Sequence, residues 1–405
     1  MNGGFLRKGG GATGQKAICA CRCGLAAVMA ALVLACSPKA MQPLSRLDTP
    51  EHHAATGIRL LQQEHYAAAE REFDLALQGD PRHAKAVAGA GLLKACRGDF
   101  AAAREALEQA LGYAHSSEEL LFVLAGQIRV HAMSRAACLK VGTECSDDDG
   151  RLLAAKETYE RAVRIDPTAA AAHYYMGECY LTALELEAAG RMFSRVLDLN
   201  RGYTAQADAR WKLLQKIHRA QPATAAGRKI VLADRLTRAE LAALLMEEMR
   251  VDLLYALRAP RGPDPAVIER ARMGAAGGGI ADIAGHPLQA EVEAVVRVGI
   301  RNLGLYPGGS FRPEEQMDRA GFALLLEELL VRITGDGALA TRYVGSRSPF
   351  PDVGADFPSF NAAVLATSLG IMEPGDALTG AFAPHRPVGG ADALLMLRKV
   401  REELR

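Results

Sequence analysis

Asp282-Ile283, Gly299-Ile300, Gly308-Gly309-Ser310-Phe311-Arg312-Pro313 and Asp318-Arg319-Ala320 follow one another in the last third of the chain, the last running into Phe322-Ala323-Leu324-Leu325-Leu326. By ordinary start and stop signals these residues spell an Asp-led turn, an amphipathic helix closed by Gly299, a Gly-rich bend carrying Phe311 and Pro313, and a second helix. The same order returns as Phe350-Pro351-Asp352-Val353, Gly370-Ile371, Phe382-Ala383-Pro384 and then Ala391 to Leu397. Its closing part appears earlier, as Leu236-Thr237-Arg238-Ala239-Glu240-Leu241. Two and a half copies of one helix-loop-helix unit therefore organise the C-terminal part of the chain.

A chain of 405 residues is too long for one ordinary domain. With 49% hydrophobic residues but only 5% aromatics, the cores must be built from Ala and Leu, which suits helices packed closely on helices, so the fold class expected is all-α. Lys plus Arg number 48 against 47 for Asp plus Glu, a formal charge of +1, which supplies no basic excess for a phosphate backbone and excludes nucleic acid as the natural partner.

The C-terminal unit resembles the S-layer homology domain, whose repeats come in threes, form a compact three-pronged helical module and bind polymers of the bacterial cell wall. The resemblance covers residues 229–405. It implies that Arg238 and Arg319, at the arginine position of the family's Thr-Arg-Ala-Glu motif, and Asp282 and Asp352, near the repeat starts, line grooves for acidic or pyruvylated wall sugars. A guanidinium fork suits a sugar carboxylate, being bidentate and always charged. The departures from the family matter as well. Its aromatic position reads His286-Pro287 in one copy and Phe357-Pro358 in another, and the third copy reads Gly389-Gly390-Ala391-Asp392, with no Arg, so at most two grooves are complete. The competing reading is that each Arg caps or salt-bridges its own helix terminus and holds the prongs together.

Residues 50–220 read as an array. Gly57, Tyr66, Ala69, Phe73, Ala76 and Asp80-Pro81 have a spacing similar to the tetratricopeptide repeat. Small residues let two antiparallel helices approach, Tyr66 and Phe73 fill the wedge, and Pro81 stops the second helix. Gly91, Gly98-Asp99-Phe100, Ala103, Leu107 and Ala110-Leu111 repeat this in phase. A third unit is interrupted between Ala137 and Arg151 before reaching Tyr159, Ala162 and Asp166-Pro167; a fourth carries Gly177, Tyr180, Ala189, Phe193 and Leu197. The insert from Cys138 to Gly150 is either closed by a Cys138–Cys145 disulfide or is a solvated loop whose Ser146 or Asp147 caps the next helix; its Asp147-Asp148-Asp149 run lacks calcium-loop spacing. The helix from Tyr203 to Ala220, with the sole Trp211, reads as the cap of a solenoid, and residues 221–228 as a linker. Residues 261–279 and Ile333 to Ser348 read as insertions between the C-terminal copies.

At the N-terminus Arg7, Lys8, Lys16 and Arg22 precede an apolar stretch from Leu25 to Ala35 that is too short to span a bilayer, the pattern of an export signal over residues 1–35. Val33-Leu34-Ala35-Cys36 resembles the bacterial lipobox. The resemblance implies cleavage before Cys36, lipidation of that residue, a linker over 36–49 and, with Ser37 following, the outer membrane, facing the periplasm. Gly9 to Lys16 lacks the Gly-Lys-Ser/Thr ending of a phosphate loop. Neither a His-Glu-x-x-His helix nor a Gly-x-Ser-x-Gly elbow occurs, so no enzyme, metal or cofactor is expected. His52-His53 reads as an exposed pair, and Cys96 and Cys179 as buried packing residues. Two functions follow as expectations. One is an envelope lipoprotein whose repeats bind a protein or peptide while its C-terminal module holds peptidoglycan or a secondary wall polysaccharide. The other is an assembly adaptor in which that module is only structural.

Overall fold

The computed structural model describes residues 48–141, 150–258 and 280–403, and its regular secondary structure is helical: sixteen α-helices, with two isolated bridges and no strand among the described residues. The chain divides into two compact units, one reaching Lys94 and including Ala101–His115, the other formed by Ala95–Phe100 and everything from Ser116 onward.

In the first unit α1 (Pro50–Gln62) pairs with α2 (Tyr66–Gly79), and α3 (Ala84–Cys96) is followed by α4 (Phe100–Tyr113). Thr49 caps α1 by accepting from the His52 N–H, with Pro50 in the first turn where its missing N–H costs nothing. Gly57 is glycine because a Cβ there would stand 2.6 Å from the Phe73 ring. Gly91 faces Leu107 and the Ala103 carbonyl across the next hairpin, at the same sixteen-residue spacing as Gly57 and Phe73. Ala69, Phe73, Ala76, Ala103 and Leu107 are fully buried, so the small-residue stripe does bring the paired helices together. Ala103→Leu is accordingly expected to destabilise the chain by about 1 to 3 kcal/mol through overpacking; an unchanged melting curve would mean that this helix faces the other way.

The second unit begins with α5 (Ser117–Val141), which packs on α6 (Arg151–Ile165) and α7 (Ala170–Thr182), and continues with α8 (Leu186–Leu199) and α9 (Thr204–Ala220). Gly177 lies against Phe193, again sixteen residues on, with a virtual Cβ 2.6 Å from the ring. The Asp166-Pro167 corner is pinned by His173. Its Nε2 sits 3.0 Å from the Pro167 carbonyl and must donate, which leaves Nδ1 to accept from the Tyr159 hydroxyl at 2.9 Å. Helix α6 starts behind Gly150, which is left-handed and provides no side-chain cap; Ser146 and Asp147, expected to cap it, lie outside the described residues.

The run of paired helices does not end in solvent at α9. Helix α16 (Gly390–Glu403) packs on it, Lys216 pairs with Asp392 at 2.7 Å, and Arg398 donates to the Arg219 carbonyl. Residues 221–228, expected as a linker, form the capped entry to α10 (Ala225–Ile230) and lie inside the second unit. Glu248 accepts there from the Ala223 and Thr224 N–H groups and the Thr224 hydroxyl. Among the described residues one hydrophobic core joins buried side chains from Leu181 to Val400.

Beyond α10 come α11 (Arg238–Ala243), extended by a π-helical turn Leu244–Met249, then α12 (Val251–Arg258), α13 (Gln289–Val298), α14 (Arg319–Thr334), α15 (Phe360–Ser368) and α16. Gly299 closes α13 in the left-handed conformation, as its position predicts. The starts of α11, α14 and α16 meet in a closed ring of three backbone hydrogen bonds: Met317 N–H to Leu236 O (2.8 Å), Val388 N–H to Met317 O (2.9 Å) and Leu236 N–H to Val388 O (2.7 Å). Each copy thus both gives and receives once. The segment from Ile333 to Ser348, expected as an insertion, is folded onto this core: Leu339 is buried, and Asn361 accepts from Tyr343 N–H and donates to the Leu339 carbonyl.

Candidate functional site

Each ring residue is followed by the position that the sequence marks as arginine, glycine or cap. Thr237 and Glu240 form a complete capping box on α11, and Asp318 caps α14 by accepting from Gly321 N–H. The helix ends are therefore satisfied without the arginines, so neither caps its own terminus as expected; each reaches instead to the loop of the following copy and ties the two copies to each other.

Arg238 is 5% exposed. Its Nε donates to the Phe311 carbonyl at 2.9 Å and its Nη2 to the Gly304 carbonyl at 2.7 Å, while the guanidinium lies 4.8 Å from the Phe311 ring centre and 4.9 Å from that of Tyr306. Arg319, 7% exposed, repeats the arrangement one copy later, with Nε to Phe382 O at 2.7 Å, Nη2 to Glu373 O at 2.6 Å, and the Phe382 ring at 4.7 Å. Burial pulls both guanidinium groups below their ordinary value, Arg386 adding to the effect at Arg319. They remain charged nonetheless, since arginine does not lose its proton in proteins.

Asp282 and Asp352 hold the same two loops from the other side. Asp282 accepts from the N–H groups of Phe311 (2.9 Å) and Arg312 (2.6 Å); Asp352 accepts from Phe382 (2.8 Å) and Ala383 (2.7 Å). Two successive N–H groups converge on one carboxylate because Arg312 and Ala383 are both left-handed, each at φ 56°. That conformation costs a residue with a Cβ about 1 to 2 kcal/mol, and the carboxylate offsets it. Burial pushes the Asp282 carboxyl up, but the two N–H groups outweigh it and hold it below the usual carboxylate range. All four residues named from the sequence thus come together in two equivalent sockets, and their polar atoms are turned on the fold's own loops.

The third position is Gly390, and the structure gives the reason. A Cβ there would stand 1.8 Å from the Ile230 carbonyl oxygen, because the chain entering from α10 runs where the socket's loop runs in the other copies; the Gly390 N–H donates to Ala233 O at 2.8 Å. Sequence reading also passed over Tyr306, whose ring carries Arg238 on one contact and the exposed Arg312 on another at 4.2 Å. A tyrosine placed between two arginine positions was the available signal.

Of the remaining expectations, Cys36 and Cys145 lie outside the described residues, while Cys138 takes part in a disulfide. Cys179 is a free, buried thiol whose pKa burial pushes to about 12, and Cys96 is free and half-buried rather than enclosed. Among the described residues no group of three or more His, Cys, Asp or Glu could hold a metal ion, and no helix is long and apolar enough to cross a membrane. No protein-family model matches the chain, and no curated protein is similar to it.

Proposed function

We propose that the chain is a non-enzymatic envelope adaptor, lipid-anchored at Cys36 on the outer membrane, in which tetratricopeptide-like repeats bind a protein partner or an extended peptide and an S-layer-homology-like module serves as a structural platform. One observation carries the choice between the two expected functions: Arg238 and Arg319 are only 5% and 7% exposed, and the Nε and Nη2 edge of each fork is already bonded to backbone carbonyls, so that edge is not offered to a sugar acid. The repeated sixteen-residue pairing of Gly57 with Phe73 and Gly177 with Phe193 supports the solenoid reading, and the ring of three backbone bonds supports the threefold module. The Cys138 disulfide supports an oxidising compartment.

The wall-polymer reading keeps one observation of its own. Arg312, exposed and 3.9 Å from the Glu315 carboxylate, lies over the Tyr306 ring beside the first socket, where a ligand could reach it. Pull-down from native envelope with the intact chain distinguishes the two: a protein retained in stoichiometric amount after removal of peptidoglycan is the expected result, and recovery of wall polymer alone would overturn the adaptor reading.

A further inference from the structure

The lead-in to the repeat array is tied to the first hairpin by a single histidine. His53 on α1 places Nδ1 2.8 Å from a Glu72 carboxylate oxygen on α2 and Nε2 3.0 Å from a carboxylate oxygen of Asp48, just ahead of the helix. Its ring is only 16% exposed, unlike the exposed pair expected from the sequence. The groups that face it are Asp48 from the lead-in, Glu72 from α2 and, edge-on at 6.0 Å, the His52 ring on its own helix. Neighbouring contacts reinforce the tie, since the His53 N–H donates to Thr49 O at 3.0 Å and Pro50 lies where a Cβ on Gly79, at the end of α2, would have to go.

A neutral imidazole has one N–H and one lone pair, so it donates to one carboxylate and turns a lone pair toward the other. Only the imidazolium donates to both. We propose that Asp48, His53 and Glu72 form a pH-sensitive clasp, which holds the lead-in of the array on the first hairpin while His53 is protonated and loosens it when the proton leaves. This inference does not depend on what the repeats bind.

The hydrogen bonds to Glu72 and Asp48 raise the imidazole above its ordinary 6.5, against a smaller opposing effect of burial. A raised pKa in the folded chain means that the clasp's contribution is complete below about pH 6.5, the unfolded value, and is lost as pH rises through the folded one.

The test is an NMR titration of the intact chain, with amide exchange followed at His53 and corrected for the intrinsic pH dependence of exchange. His53 is expected to titrate above 6.5, with Asp48→Asn and Glu72→Gln each lowering its midpoint. Protection of the His53 amide is expected to fall about two- to fivefold across that midpoint, the scale of an exposed ion pair; in His53→Gln it should stay flat. A midpoint at or below the ordinary imidazole value, or equal protection on both sides of it, would overturn the clasp.

Discussion

Gly390→Ala is expected to destabilise the second unit by about 3 kcal/mol or more, the upper end of overpacking. No left-handed backbone is involved; the cause is the Ile230 carbonyl oxygen, 1.8 Å from where the new methyl must go, with the Ile230 carbonyl carbon at 2.7 Å. Both obstacles are backbone, so neither can rotate aside as a side chain could. Relief requires moving α10 or the start of α16, and either movement strains the Gly390 N–H bond to Ala233 and the nearby ring bond between Leu236 and Val388. Gly389 provides the control. A Cβ there meets the Asp234 carbonyl oxygen at 3.4 Å, an ordinary contact, so Gly389→Ala should melt close to wild type. Equal melting of the two variants would mean that the third socket is not filled by the entering chain.

Arg319→Ala is expected to cost a similar amount, about 3 kcal/mol. A hydrogen bond to a charged group contributes roughly 1.5 to 3 kcal/mol, and truncation removes two, leaving the Phe382 and Glu373 carbonyls without their donor and the Phe382 ring without its cation. Thermal melting should therefore fall by about 6 to 12 °C, at the few degrees per kcal/mol usual for a chain segment of this size. Arg319→Lys should recover little of it. An ammonium is a point charge and does not present the planar fork that reaches two carbonyls in different directions while stacking on a ring. A melting curve indistinguishable from wild type would leave Arg319 with no structural role and return it to the ligand.

How far the sequence carries depends on whether a contact is written in side chains. The hairpins were legible because their key contacts are side chain against missing side chain: Gly57 under Phe73 and Gly177 under Phe193 recur at one spacing, and nothing else fits beneath a ring. The copies of the C-terminal module were legible for the same reason, through Phe311 and Phe382, Gly299 and Gly370, Asp282 and Asp352. The direction of the arginine forks was not. Their acceptors are backbone carbonyls of Gly304, Phe311, Glu373 and Phe382, more than fifty residues along the chain, and every residue type has the same carbonyl. The missing arginine at Gly390 reads from sequence as the decay of a groove, whereas in the structure it is a requirement set by Ile230. His53 was misjudged because its partners, Asp48 and Glu72, look like ordinary surface acids until the hairpin closes. In the same way the segment from Ile333 to Ser348 carries few core residues, and Leu339 is held down together with the Asn361 amide, whose partners are the Tyr343 N–H and the Leu339 carbonyl.

Whether Arg238 and Arg319 hold loops or read a polymer is decided by co-sedimentation of the intact wild-type chain with purified sacculi. If they hold loops, the chain stays in the supernatant at every polymer concentration. Saturable co-sedimentation, abolished by Arg319→Ala in a variant that melts like wild type, would contradict that role.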